Sequence, residues 1–327
     1  MIFPIRLPAL TRFLAAIAGF VVTSAAAAQP AYVVTTFAGQ NSPPGYADGP
    51  GNVARFSGPS GVVVDAAGNI FVADAGNSVV RKIAPGGMVS TFAGKTGEYG
   101  RSDGASGQLA GPGHMTIDGA GNLYVVENNF SGAIRKLSPS GVLSTIAGGT
   151  GNSLDGPVNW GGFERPHGIA VDASGNVFVS DTEGPTIRKV VRAGVITTIA
   201  GASAGAGTVD ITDGPGEVAR FNRPAGMALD AAGNLFIADS RNHTIRRMTP
   251  AGIVSTYAGV PRTSGSLNGP STTALLNLPV AVAIDAGGNV FVAELGNHTI
   301  RKITPLGVVS TLAGLANFSG GDDGAGN

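Results

Sequence analysis

FNRPAGMALDAAGNLFIADSRNHTIRRMTPAGIVSTYAG, residues 221–259, is the clearest copy of a cassette that the 327-residue chain repeats five times. The copies span residues 56–94, 109–148, 163–201, 221–259 and 276–314. Each contains one turn aspartate, and these lie 53, 54, 58 and 55 residues apart: Asp65, Asp118, Asp172, Asp230 and Asp285. A period sustained at this length is typical of one supersecondary unit that buries its apolar faces only against its neighbours.

Each cassette contains four short runs rich in valine, isoleucine and phenylalanine, which favours strands over helices. In the first copy the runs are Gly61–Val64, Ile70–Ala73, Val79–Ile83 and Met88–Ala93. The first two are joined by DAAGN (65–69), whose aspartate can accept turn N–H bonds and whose glycine supplies a positive φ. We therefore predict an all-β chain of four-stranded antiparallel blades, a β-propeller. A solenoid is the rival, but it would favour shorter repeats and parallel strands.

The cassette also resembles a known repeat. NHTIR at 242–246 and again at 297–301 is similar to the signature of the NHL repeat, and the other three copies carry more divergent versions of it. The resemblance extends from Tyr32 to the end of the sequence. It implies a propeller in which the first strand of each blade lines a central channel.

The phase of the repeat suggests more than five blades. A DG-type turn precedes each cassette, and a sixth occurs at Asp323-Gly324, so residues 315–327 read as the start of a further repeat. At the other end, Val33–Gly39 matches only the last strand of a cassette. We expect five complete blades plus this orphan N-terminal strand within 29–327, in a native six-bladed protein that is truncated here. The alternative is a five-bladed ring with Val33–Ala38 as an extra edge strand.

Met1–Ala28 has the pattern of a secretory signal peptide, with a short basic start, an apolar run and a small-residue exit. It predicts a Sec-type signal, a periplasmic or secreted bacterial protein, and no transmembrane segment after cleavage. Removal of its two arginines leaves 19 basic against 21 acidic residues. This balance argues against a nucleic-acid partner, which usually needs a basic face. The chain has no cysteine, which excludes disulfides and cysteine catalysis.

An acid at the end of the second strand and an arginine on the third occur in every cassette. Because a catalytic site needs only one copy, we interpret them as structural pairs across adjacent strands. The pairs are Asp74 with Arg81, Glu127 with Arg135, Asp181 with Arg188, Asp239 with Arg246, and Glu294 with Arg301.

Residues that differ between copies are better candidates for function. His114 and His167 lie near one rim in neighbouring blades, and neutral imidazoles there could bind a divalent metal. The resemblance adds that NHL-like amidating lyases bind zinc with three histidines near the channel, but no third histidine is present at this rim. Four other unrepeated residues are candidates for ligand contacts: Trp160, Glu164, Glu183 and Arg241. For Trp160 the alternative is structural, because a linker tryptophan can also fill a gap between blades.

These observations favour an exported, monomeric, non-enzymatic binding or scaffold module that presents loops to a protein, peptide or glycan. No catalytic set is recognisable, and we assign no cofactor and no metal ligand. The alternative is a metal-dependent lyase or lactonase of the amidating-lyase or gluconolactonase-like propeller type. Metal content would distinguish the two.

Overall fold

The computed structural model describes residues 33–40, 43–127, 132–149, 153–202, 211–320 and 324–325. Residues 1–28, for which a signal peptide is expected, lie outside these ranges. The strands, in chain order, are β1 Val33–Val34, β2 Gly49–Pro50, β3 Pro59–Val64, β4 Ile70–Asp74, β5 Val79–Ile83, β6 Met88–Gly94, β7 Pro112–Ile117, β8 Leu123–Glu127, β9 Ala133–Leu137, β10 Leu143–Gly148, β11 Gly156–Pro157, β12 Pro166–Val171, β13 Val177–Asp181, β14 Thr186–Val191, β15 Val195–Gly201, β16 Gly214–Pro215, β17 Pro224–Leu229, β18 Leu235–Asp239, β19 Thr244–Met248, β20 Ile253–Ala258, β21 Gly269–Pro270, β22 Pro279–Ile284, β23 Val290–Glu294, β24 Thr299–Ile303, β25 Val308–Ala313 and β26 Gly324–Ala325.

The strands form five four-stranded antiparallel blades arranged in a ring, as the repeat predicts. Blades 1 to 5 are β3–β6, β7–β10, β12–β15, β17–β20 and β22–β25, and the first strand of each blade is its inner strand. In blades 1, 3, 4 and 5 a two-residue linker strand also pairs with the outer strand. Within the described ranges, the helical elements are single 3-10 turns at Ala75–Asn77 and Ser240–Asn242, and no helix has the length and hydropathy needed to span a membrane.

The turn between the first two strands is built as its sequence predicts. In blade 1, Oδ1 of Asp65 accepts the backbone N–H of Ala67 at 2.9 Å and of Asn69 at 2.8 Å. Gly68 takes φ of 79°, a conformation that glycine adopts without steric cost. The Asn69 side chain also donates to the carboxylate and lowers the pKa of Asp65. These contacts fix the hairpin and set the inner strand in register.

The hydrophobic core lies between blades. Phe71, Ala73 and Val80 of blade 1 pack against Met115 and Leu123 of blade 2, and similar clusters join the later blades. Each blade is therefore apolar on both faces, and one face covers the opposite face of the next blade. The period of two along each strand produces this arrangement.

A buried arginine joins the strands of each blade to its linker. Arg81, whose side chain is fully buried, donates from Nη1 to Asp74 at 3.0 Å and from Nη2 to Asp48 at 2.6 Å. The role of the linker acid was not anticipated from the sequence, although it recurs in phase with the arginine in blades 1 to 4, and blade 5 has Asn268 there. In blade 4, burial raises the pKa of Asp239 to about 6, while Asn242 and Arg246 act in the opposite direction. All five acid–arginine pairs lie within 3.7 Å: Asp74–Arg81, Glu127–Arg135, Asp181–Arg188, Asp239–Arg246 and Glu294–Arg301.

Blades 1 and 5 each have one exposed face, whereas the equivalent face is buried in the other blades. Val62 is 63% exposed, whereas its equivalent in blade 4, Met227, is 6% exposed. Ile300 of blade 5 is 38% exposed, whereas Ile245 is fully buried. The extra strand β1 pairs with β26 in the register that β6 shows with its linker strand β2. A sixth blade would cover these faces in the pattern of the other five, and it remains a prediction.

Candidate functional site

The two histidines at the rim lie in contact across neighbouring inner strands. His114 is on β7 of blade 2 and His167 on β12 of blade 3, and their ring centroids are 4.4 Å apart. Glycine occupies the position of His114 in blade 1, where a Cβ on Gly61 would lie 2.5 Å from the Gly113 carbonyl oxygen of the next blade. Blade 2 breaks this pattern, since it places an imidazole there, against the ring of His167.

His167 is held neutral by its surroundings. Burial, and then the neighbouring His114, Arg165 and Arg223, lower its pKa to about 3. Its Nδ1 atom is buried and finds no hydrogen-bond partner within the described ranges. An imidazole with this pKa is a weak base at neutral pH, because general bases work best with pKa values near the operating pH. Burial also lowers the pKa of His114.

Unrepeated hydroxyl groups join blade 3 to blade 4 beside these rings. Ser180 accepts the backbone N–H of Gly168 at 2.7 Å and donates to the Ala225 carbonyl at 2.7 Å. Thr182 donates to the Pro224 carbonyl at 2.8 Å. Both side chains are buried, so these bonds fix the start of one inner strand against the next.

A pocket of about 390 Å³ opens where the inner strands of blades 3, 4 and 5 begin. We call it the rim pocket. One side is basic, with Arg165, Arg223 and Arg241, and the other is apolar, with Leu278, Val280 and Leu295. His167 and Thr182 also line it. Its volume and its mixture of apolar wall with a few polar groups are typical of ligand sites.

Glu183 bridges two of the three arginines. Its Oε1 atom accepts from Arg223 Nη2 at 2.9 Å and from Arg165 Nη1 at 3.3 Å. Within the described ranges, no carboxylate lies within ion-pair distance of Arg241, which is exposed. The pocket therefore carries three positive charges against one negative, in a chain whose formal net charge is zero.

Two pocket residues have a backbone conformation that usually requires glycine. Arg223 has φ of 56° and Leu278 has φ of 49°, and the equivalent residues of blades 1 and 2 are Gly58 and Gly111, with φ of 57° and 64°. A left-handed conformation is unusual for branched or bulky residues and is often retained at functional sites. The backbone N–H of Leu278 donates to Nδ1 of His243 at 3.1 Å.

The structure brings together only some of the sequence-predicted residues. His167 and Arg241 line the rim pocket, Glu183 contacts its arginines and His114 contacts its histidine. Trp160 follows the linker strand that pairs with the outer strand β15; it is 57% exposed and does not line the pocket. Glu164 is exposed and does not line it either, and its backbone N–H donates to Asp181 at 2.9 Å.

Sequence reasoning missed Arg165, Arg223 and Leu278 as site residues. Every cassette has a proline at the start of its inner strand. All three residues come immediately before that proline, at the position where blades 1 and 2 have glycine. A comparison of the five copies at that one position would have identified them. The residues of the apolar wall from β22 and the loop after β23 gave no such signal.

A larger open cleft, of about 710 Å³, lies between the strand-connecting turns of blades 2 and 3. Its lining includes Asp118, Asn122 and Asp172, which recur at the same turn in the other blades. Since these residues serve the hairpin in every copy, the cleft is a weaker candidate than the rim pocket. Across the described ranges, no group of three or more histidine, aspartate or glutamate residues is arranged to hold a metal ion.

Comparison with known proteins agrees with this architecture. The NHL repeat model matches residues 56–83, 163–189 and 221–248. NHL repeat-containing protein 2 of Bos taurus is 27% identical over 296 residues, which cover 80% of this chain and 40% of that protein. The chain therefore spans less than half of that relative.

Two solved structures are similar in fold. A protein of unknown function from Bacteroides thetaiotaomicron superposes with a TM-score of 0.66 at 16% identity, covering 90% of this chain and 67% of that one. Streptogramin B lyase superposes with a TM-score of 0.53 at 18% identity, covering 78% and 68%. The repeats, the blades and these likenesses agree: the chain is a β-propeller that contains NHL repeats.

Proposed function

We propose that the protein is an exported, monomeric, non-enzymatic module that binds a protein, peptide or glycan at the rim pocket. The single observation that carries this proposal is the clustering of unrepeated residues there. Arg165, Arg223 and Leu278 replace glycine at one cassette position, and two of them do so at a positive φ. Features needed by the blade recur in every blade, whereas these occur only around the pocket. Export is supported by the sequence pattern of residues 1–28.

The electrostatics of the rim support binding over acid–base chemistry. The low pKa of His167 makes it a poor proton acceptor at neutral pH. Ser180 and Thr182 donate to backbone carbonyls, so their hydroxyls hold blades together. A pocket that combines an apolar wall with guanidinium groups is suited to recognition.

The proposal can be tested by incubating the labelled protein with an array of printed glycans and peptides. The wild-type protein should bind a subset of them, and the Arg165→Gln/Arg223→Gly double variant should lose that binding while keeping its fold by circular dichroism. As a matched control, Arg192→Gln removes an exposed arginine that lies outside the rim pocket, in the larger cleft between blades 2 and 3. Binding that survives in the double variant would contradict the assignment of the site.

One observation favours a second candidate, a metal-dependent lyase. The adjacent rings of His114 and His167 could supply two imidazole ligands, and the fold is shared with Streptogramin B lyase. Metal analysis of dialysed protein distinguishes the candidates. Stoichiometric zinc that is lost in a His167→Ala variant would favour the metal-dependent lyase and contradict the non-enzymatic binding module.

A further inference from the structure

The strongest unexplained feature is the pairing of two unlike walls in the rim pocket. Three guanidinium groups lie on one side, and three aliphatic side chains, Leu278, Val280 and Leu295, lie on the other. Leu295 is 61% exposed, and Leu278 and Val280 are half-buried. An accessible aliphatic wall beside an excess of positive charge fits a ligand that carries an anionic group and an apolar group close together.

Resting on the proposed binding function, we infer that the rim pocket captures the carboxyl terminus of a peptide that ends in an aliphatic residue. In such a terminus the carboxylate and the aliphatic side chain share one Cα atom. The carboxylate would bind the guanidinium groups and the side chain would cover the leucines and the valine. Arginine is the residue best suited to this contact, because its planar fork matches a carboxylate.

The pocket already accommodates a carboxylate of its own. Glu183 places one oxygen 2.9 Å from Arg223 and 3.3 Å from Arg165, so those two arginines are oriented and partly neutralised. Arg241 has no such partner within the described ranges and supplies the free charge. A peptide carboxylate would pair with Arg241 and adjoin the two arginines that Glu183 holds.

The strained backbone supports a role in binding over a role in folding. Arg223 and Leu278 each adopt a positive φ where blades 1 and 2 use glycine, so glycine would relieve the strain. One of the two residues lies on the basic wall and the other on the apolar wall. The chain therefore retains an unfavourable conformation at both of the contacts that the ligand requires.

The apolar wall of the rim pocket also favours a peptide carboxyl terminus over other anionic ligands. A phosphate or an acidic sugar would use the arginines but would leave the apolar wall in contact with water. A terminal aliphatic residue uses both walls, and its single carboxylate matches the charge of Arg241. Carboxyl-terminal recognition is a recurrent mode of peptide binding, in which the terminal charge and one side chain are read together.

Fluorescence anisotropy with two labelled hexapeptides tests the inference. Both end in leucine, one with a free carboxyl group and the other with a carboxamide. We expect the free acid to bind at least tenfold more tightly than the amide, and Arg241→Gln to abolish this difference. Leu278→Gly should weaken the free acid at least tenfold without loss of thermal stability, because glycine suits the positive φ. Arg192→Gln, outside the pocket, should leave both affinities unchanged.

The outcomes separate this inference from the broader proposal. Equal affinities for acid and amide, both lost in Leu278→Gly, would overturn capture of the carboxyl terminus but would leave peptide binding at the pocket in place. Binding that is indifferent to Arg241→Gln would overturn the role of that arginine and with it the inference. Absence of binding to either peptide by the folded wild-type protein would also overturn the inference, while the glycan and peptide probe still tests the binding function.

Discussion

Replacement of His167 by alanine should change how the stability of the propeller depends on pH. In the folded protein the pKa of His167 is lowered to about 3, by burial first and then by His114 and the two nearby arginines. An unfolded chain restores a value of about 6.5. As the pH falls below 6.5, His167 becomes protonated in the unfolded state but stays neutral in the folded state. The contribution of neutral His167 to the free energy of unfolding is therefore fully present above pH 6.5 and is lost as the pH falls towards 3.

The magnitude follows from the two pKa values. Each pKa unit corresponds to about 1.4 kcal/mol, so between pH 7 and pH 5 the free energy of unfolding should fall by about 2 kcal/mol through this group alone. Alanine is a suitable replacement, because blade 4 has Ala225 at the equivalent position. The variant also removes the buried Nδ1 atom that lacks a hydrogen-bond partner.

Urea unfolding at pH 7 and at pH 5 measures the effect, with the free energy obtained by linear extrapolation. The wild-type protein should lose about 2 kcal/mol more than His167→Ala over this interval. His298→Asn, which removes an exposed histidine from the repeat signature, is the matched control for loss of an imidazole. Equal pH dependence in the wild type and in His167→Ala would refute the reasoning, because it would mean that His167 titrates normally in the folded state.

Two further predictions concern the blades. Arg246→Met should cost about 3–5 kcal/mol in thermal or urea unfolding, because it leaves the buried carboxylate of Asp239 without its partner, whereas Arg192→Met at the surface should cost little. A cost below about 1 kcal/mol would show that Asp239 is uncharged in the fold. Ile245→Ala should cost about 2–5 kcal/mol through the cavity it leaves, and Ile300→Ala distinctly less, because Ile300 is 38% exposed. Similar losses at the two sites would indicate that Ile300 is covered in solution.

Much of the architecture was predictable because its physical causes are local and repeated. The run Ile70–Ala73 and the turn after Val64 each follow from alternation, turn aspartate and glycine, and the structure has a strand at Ile70–Asp74 and the Asp65 turn before it. The pairing of Arg81 with the linker residue Asp48 was not predicted. They lie 33 residues apart in sequence and meet only when the linker strand folds back onto the outer strand.

The candidate site was predictable in part. His114 and His167 were identified because they break the repeat, and the structure puts their rings in contact. Trp160 broke the repeat equally and yet lies by the outer strand, since sequence proximity to His167 does not determine the side of the blade. The pocket itself combines Arg165 with Leu278, from blades 3 and 5, and no local pattern joins residues so far apart.

By itself, the sequence determined the repeat, the four strands of each blade, the hairpin turns and the inward alternation of apolar residues. These features depend on dihedral preference and on spacing within one cassette, and the same signals recur in each of the five copies. Only the tertiary structure decided which unrepeated residues meet. The ring brings the starts of three inner strands to one rim, and this places three arginines and three aliphatic side chains around one pocket. The charge and the low pKa of His167 arise from that assembly, because burial and neighbouring charge are properties of packed blades and not of any one of them.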